Sequence, residues 1–180
     1  MAVYTIGHST RAREELIALL TESGVRCLRD VRAYPRSRTN PQFNADVLAA
    51  ALGEVGIDYR HMKALGGRRG PQDLARPSPN GLWREAAFRN YADYALSPAF
   101  AEAFEELRAT ARARRTAVMC AEAVWWRCHR RIIADYLLAA GEEVRHILAP
   151  GKIEPASLTA GAAPQPDGTV HYPGEQGELF

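Results

Sequence analysis

The N-terminal run Val3-Tyr4-Thr5-Ile6-Gly7-His8-Ser9-Thr10 is followed by Leu16, Ile17, Leu19 and Leu20 at helical spacing and then by the stretch Val25 to Val31, apolar at Val25, Cys27, Leu28 and Val31. The first four residues are β-branched or aromatic and stop at a turn that caps a helix, so the segment reads as strand, helix, strand. Gly24 suits the left-handed residue that closes that helix. The same alternation continues outward. Phe43-Asn44 precedes Val47 and Leu48, with Asn44 as an expected N-cap and Phe43 as a staple on Leu48; Gly56 closes this second helix and Ile57 to Met62 forms a third strand. Residues 66–83 carry too many Gly and Pro breakers for regular structure and form a long loop, a candidate lid. Helices follow over Arg84–Leu96 and Pro98–Arg115, the second capped by Ser97, and then a strand at Thr116–Cys120, a helix from Cys128 to Ala140, and a strand at Val144–Leu148.

Strand and helix alternating in this way predict an α/β fold: one three-layer domain over residues 1–149, with a mostly parallel central sheet and helices on both faces. Residues 150–180 are rich in Pro and Gly without apolar periodicity, and are expected to be an irregular tail that either wraps the domain or is mobile. A chain of 180 residues with 47% hydrophobic and 24% charged residues buries one sizeable core, which excludes a wholly disordered chain. No apolar run approaches a membrane span and no basic-then-apolar leader opens the chain, so the expected address is the cytoplasm, with no membrane partner. Three cysteines fit a reducing compartment, as free thiols or ligands. The net charge of +2 does not make the whole surface a nucleic-acid magnet, but all basic residues except Lys63 and Lys152 are Arg, whose planar fork suits carboxylate and phosphate.

In a parallel sheet, ligands bind beyond the carboxyl ends of the strands. Those ends carry Gly7-His8-Ser9, Asp30-Val31-Arg32, His61 running into Gly66-Gly67, and Cys120-Ala121-Glu122, with Cys128-His129-Arg130 opening the next helix. Thr5 to Ser9, Leu28-Arg29-Asp30-Val31-Arg32 with Pro35 and Ser37, Leu65-Gly66-Gly67, and Cys120-Ala121-Glu122 with Cys128-His129-Arg130 resemble the bacterial and archaeal family called domain of unknown function 488, over roughly residues 3–148. That family usually has a proline between the glutamate and Cys-His-Arg, where this chain has Val124-Trp125-Trp126. The resemblance implies the fold and the pocket; no activity and no cofactor come with it.

Four readings of this rim are open. In the first, Glu122 is a general acid or base and Asp30 a second carboxylate, with Arg32, Ser37, Arg38, Gly66, Gly67 and Arg130 holding a phosphate and His8 and His129 moving or orienting protons. Its plain counterpart is a structural Asp30–Arg ion pair. In the second, Cys120 or Cys128 is the nucleophile of a thiol-dependent, rhodanese-like transferase, activated at a helix N-terminus. The third gathers Cys120, Cys128, His129 and His8 around zinc; no Cys-x2-Cys pair is present, and neighbouring Cys128 and His129 diverge if both lie on a helix, so no metal is assigned. The fourth is a non-catalytic nucleotide- or nucleic-acid-binding adaptor, with Trp83, Trp125 and Trp126 either stacking on bases or packing in the core. The chain ends in Gln176-Gly177-Glu178-Leu179-Phe180, similar to the Gln-x-x-Leu-Phe peptide that docks on the DNA sliding clamp, with Gln176, Leu179 and Phe180 as the contact residues. The leading expectation is therefore an enzyme of DNA or nucleotide metabolism acting on a phosphate-bearing substrate.

Overall fold

The computed structural model describes residues 1–175. The chain runs β1 (Val3–Gly7), α1 (Arg13–Glu22), β2 (Cys27–Asp30), α2 (Ala45–Glu54), β3 (Asp58–His61), α3 (Ala86–Tyr94), α4 (Pro98–Ala113), β4 (Thr116–Cys120), α5 (Arg130–Ala139), β5 (Val144–Ala149) and β6 (Lys152–Pro155), then a small antiparallel pair, β7 (Ala163–Pro164) and β8 (Val170–His171). The main sheet has the order β3-β2-β4-β1-β5-β6; β1 to β5 are parallel and β6 is antiparallel to β5 at the edge.

Alternation along β1 splits the core into two layers. Tyr4 and Ile6 pack with Leu16, Leu20, Leu48 and Leu52, which places α1 and α2 on one face. Val3 packs with Tyr91, Phe100, Ile133 and Leu137, which places α3, α4 and α5 on the other. Burying both faces requires strands that are apolar on both sides, and β4 is apolar at Ala117, Val118 and Met119, all fully buried. The Ser97 hydroxyl accepts from the Phe100 N–H at 3.3 Å with Pro98 in the first turn, as the sequence predicts, and such a cap contributes about 1 kcal/mol. Gly24 and Gly141 take positive φ (69° and 86°) just beyond α1 and α5, where a Cβ would strain the backbone.

Three local expectations are corrected. Asn44 precedes α2 without capping it; its Oδ1 instead accepts the Ser37 N–H at 2.9 Å and folds the preceding loop. Cys128 lies outside the last helix in extended backbone (φ −125°, ψ 148°), and α5 begins two residues later. The region after Pro150 contains β6, β7 and β8, and it is fastened at isolated points: Tyr172 is fully buried and donates to Asp135 Oδ2 at 2.8 Å, while its N–H donates to Asn80 Oδ1 at 3.0 Å. Single anchors of this kind have no period, so periodicity does not reveal them. Among the described residues no helix is long and apolar enough to cross a membrane.

The topology singles out one crevice. From β1 the chain leaves through α1 toward β2 on one side, whereas from the adjacent β4 it leaves through α5 toward β5 on the other, with the two helices on opposite faces. The carboxyl ends of β1 and β4 thus form a switch point, where the two loops part toward opposite faces of the sheet and leave a crevice between them.

Candidate functional site

The ends of β1 and β4 are laced together beyond the sheet. His8 N–H donates to Cys120 O and Ser9 N–H to Ala121 O, both at 2.9 Å. A Cβ on Gly7 would lie 1.8 Å from the Glu122 carbonyl oxygen, so only glycine lets the 121–127 loop pass here. The same carbonyl accepts from Arg130 Nη2 at 2.5 Å, and Arg130 Nη1 donates to Thr5 Oγ1 at 3.3 Å. Because Thr5 Oγ1 accepts from Arg130, its proton is free for His146 Nδ1, 2.7 Å away. Burial, and then the Arg130 charge, push His146 down to about 4, so its imidazole is neutral and fit to accept. Trp125 stacks on that ring at 4.4 Å and 7°.

Below this loop three donors converge. His129 Nε2–H donates to Val31 O at 2.8 Å, which leaves Nδ1 with its lone pair, 3.5 Å from Cys128 Sγ and 3.9 Å from Cys120 Sγ. One ligand atom from each residue lies within 4.8 Å of the other two, so Cys120, Cys128 and His129 are the group among the described residues that could hold a metal ion. The extended backbone at Cys128 is what brings two neighbouring side chains to one point. Cys128 Sγ also accepts the Arg130 N–H at 3.5 Å, at the start of α5. Burial raises the Cys128 thiol, but Cys120 beside it and the Arg130 charge hold it well below the ordinary cysteine range. Cys128 beside it, and then burial, raise the Cys120 thiol well above that range. Cys27 is buried in β2 and belongs to the core.

Asp30 and Arg32 form a second cluster. Asp30 is fully buried and accepts from Arg32 Nη2 at 2.6 Å, from Arg32 N at 3.1 Å and from Tyr59 OH at 2.5 Å. Arg32 Nη2 also donates to Phe43 O at 2.8 Å, and Nη1 faces His8 Nε2 at 3.3 Å. His8 Nδ1 is 2.8 Å from Ser9 O, so Nδ1 carries the proton and Nε2 accepts from Arg32. Burial and the Arg32 charge lower His8 accordingly, against the opposing pull of Ser9 O and Asp30. His8 is thus a neutral ring with both nitrogens engaged, stacked on Phe43 at 4.4 Å.

A cleft of about 910 Å³ opens over both clusters. Its wall includes His8, Arg32, Cys120, Glu122, Cys128 and His129, so the ends of β1, β2 and β4 named from the sequence meet in one hollow, whereas His61 at the end of β3 is not on its wall. Ser37 and Gly67 also line it; Gly66, Arg38, Asp30 and Arg130 do not. Arg130 is buried beneath the loop, Asp30 beneath Arg32, and Arg38 is exposed elsewhere. Three further cations, Arg36 and Arg68, which sequence reasoning missed, and Arg127, which it placed only beside the Trp125-Trp126 pair, are exposed on the cleft wall and in no ion pair among the described residues. Glu85 and Glu122 are the carboxylates on the same wall. Ser9 and Arg68, both lining the cleft, have φ of 50° and 58°, a conformation non-glycine residues rarely hold. A Cβ on Gly67 would come 2.8 Å from His129 Nδ1, so this glycine lets its loop pass directly over the imidazole. Trp83 is buried against Phe88 and Tyr172, a packing role, whereas Trp126 is exposed. Gln176, Leu179 and Phe180 lie outside the described residues.

No curated protein and no solved structure matches this chain. Residues 12–137 match the family described as Domain of unknown function DUF488, a span that holds Asp30, Arg32, Gly67, Cys120, Glu122 and the Cys128-His129-Arg130 run. The match covers most of the chain, and the protein belongs to the DUF488 family.

Proposed function

We propose that the protein is an enzyme acting on a phosphate-bearing substrate, of the nucleotide or nucleic-acid class, within the switch-point cleft. The observation that carries this reading is the cleft wall itself: Arg36, Arg68 and Arg127 are exposed there without carboxylate partners among the described residues, beside Glu122. Planar guanidinium forks suit phosphate oxygens. Glu122 is exposed, its Oε1 accepting from the Val124 N–H at 3.3 Å, which leaves the carboxylate access to water. In hydrolysis, Glu122 takes a proton from the attacking water. A new bond forms from that oxygen to phosphorus, the bond to the leaving oxygen breaks, and the leaving oxygen receives the proton back from Glu122.

The test is turnover of p-nitrophenyl phosphate, bis-p-nitrophenyl phosphate and short oligonucleotides by the purified chain. Glu122→Gln should lower kcat by about 100-fold or more while leaving thermal stability unchanged. No turnover of any of these substrates, or full activity of Glu122→Gln, refutes the reading. A second reading, a thiol-dependent transferase using Cys128, is favoured by the Arg130 N–H on Cys128 Sγ at the start of α5. It predicts stoichiometric alkylation of Cys128 by iodoacetamide with loss of activity. Recruitment to the DNA sliding clamp through Gln176, Leu179 and Phe180 belongs to the first reading. A pull-down with purified clamp, lost on deletion of residues 176–180, tests it, and no capture by the intact chain removes the clamp as a partner.

A further inference from the structure

We infer that Cys120, Cys128 and His129 form a three-ligand zinc site whose fourth position opens into the cleft. The inference deepens the reading of the cleft as a catalytic centre and rests on it for what the metal does; the site itself rests on the three donors. Their spacing is the first argument. With Zn–S near 2.3 Å and Zn–N near 2.0–2.1 Å at a tetrahedral angle, ligand atoms should stand about 3.6 Å apart for S···N and about 3.8 Å for S···S. The two S···N distances are 3.5 and 3.9 Å, and all three atoms fall within 4.8 Å of one another. The S···N pairs already match to within a few tenths of an ångström, and the two sulfurs need to close by at most about 1 Å, within the reach of side-chain adjustment.

The imidazole supplies the second argument. Metal-bound histidines commonly donate their other ring N–H to a carbonyl or carboxylate, which fixes the tautomer and the ring plane. His129 does this with Val31 O at 2.8 Å, and the nitrogen left bare is the one that faces both sulfurs. Gly67 keeps that side clear, since any Cβ there would meet Nδ1. A dithiol destined only for a disulfide has no use for this third donor.

Chemistry and charge supply the third. Two soft sulfurs and one imidazole in a tetrahedral array suit Zn²⁺ over the hard divalent cations. Binding displaces the remaining thiol proton or protons to solvent and forms two Zn–S bonds and one Zn–N bond. Two thiolates offset the ion's charge. Arg130, 1% exposed and in no ion pair among the described residues, then biases the fourth position toward an anion, whether hydroxide or a phosphate oxygen. All three donor residues line the cleft, so that position faces the substrate, the open arrangement of catalytic rather than structural zinc. A water bound there is acidified toward neutrality, the function the cleft needs next to Glu122.

The experiment is metal analysis of the full chain purified without chelator. About one zinc per chain is expected, retained by Cys27→Ser and lost from Cys120→Ser, Cys128→Ser and His129→Ala. Should a variant fail to fold, chelator-stripped wild type is reloaded with Co²⁺, and a tetrahedral d–d spectrum with a thiolate-to-cobalt charge-transfer band is expected. Less than about one tenth of an equivalent after reconstitution, metal retained by all three variants, or an octahedral cobalt spectrum overturns the site. Inorganic phosphate is then titrated into both forms. Zinc bound but phosphate ignored refutes the phosphate reading and leaves the metal site standing; phosphate bound without zinc does the reverse.

Discussion

Gly7→Ala is the sharpest test of how the cleft is built. Gly7 has no positive φ, so the substitution adds no backbone strain of its own and its whole effect is the clash. The new Cβ falls 1.8 Å from the Glu122 carbonyl oxygen, 2.6 Å from its carbon and 2.9 Å from Ala123 Cα. To restore ordinary contact, the loop must retreat by about 1.5 Å. It cannot retreat freely, because Arg130 Nη2 holds that same oxygen and the His8 and Ser9 N–H groups hold the two carbonyls before it. Losing a hydrogen bond to a charged donor costs about 1.5–3 kcal/mol, and overpacking costs about 1–3 kcal/mol more, giving about 3–6 kcal/mol in all. Denaturant unfolding should report that loss, with Tm falling by about 10–20 °C. Arg130→Met releases the carbonyl, so in that background Gly7→Ala should cost less by about 1.5–3 kcal/mol. A loss below about 1 kcal/mol, or strict additivity in the double variant, refutes the reasoning.

Acid should weaken the fold through His146. Its folded value of about 4 lies below the ordinary 6.5, so the unfolded chain takes up the proton first and stability falls as pH drops from 6.5 toward 4. The loss between pH 7 and 4.5 is about 2 kcal/mol from this residue, with His8 adding in the same direction, and a flat urea midpoint over that range contradicts it. Gly67→Ala should push His129 aside and lower zinc affinity by about 10-fold or more; competition with a chromogenic chelator measures this, and unchanged affinity counts against the site. Asp30→Asn leaves the buried Arg32 charge uncompensated and should cost about 3–5 kcal/mol. Tyr59→Phe, removing one donor to the same carboxylate, should cost less, about 1.5–3 kcal/mol, and the opposite order in urea unfolding would contradict the assignment of Arg32 as its main partner.

The sheet, its helices and the strand ends that meet at the crevice were legible because periodicity and turn chemistry are local. β1, Ser97 and Gly24 each carry their signal within a few residues. The hollow followed from topology, which brings Gly7-His8, Cys120 and Cys128-His129 together whatever the side chains do. What stayed hidden depends on contacts distant in sequence. Nothing near Arg130 says that it grips the Glu122 carbonyl, and nothing near Tyr59 says that it donates to Asp30. The convergence of Cys128 and His129 turned on one residue lying before the helix instead of within it, a boundary that hydrophobic spacing does not resolve. Arg36 and Arg68 sit in loops, among other arginines with which their sequence surroundings are interchangeable, and Arg127 ends a single 3-10 turn whose direction the sequence does not reveal. The Tyr172 anchor is a single aromatic in a stretch rich in Pro and Gly.

The most direct test of the central claim, a phosphate-binding hollow at the ends of β1 and β4, is where phosphate lands. Inorganic phosphate is titrated into isotope-labelled protein and backbone amide shifts are followed by NMR. The account predicts saturable changes concentrated at residues 8–10, 67–68 and 120–130, abolished when Arg36, Arg68 and Arg127 are replaced by alanine. Shifts clustered elsewhere, or equal binding by the triple variant, contradict it.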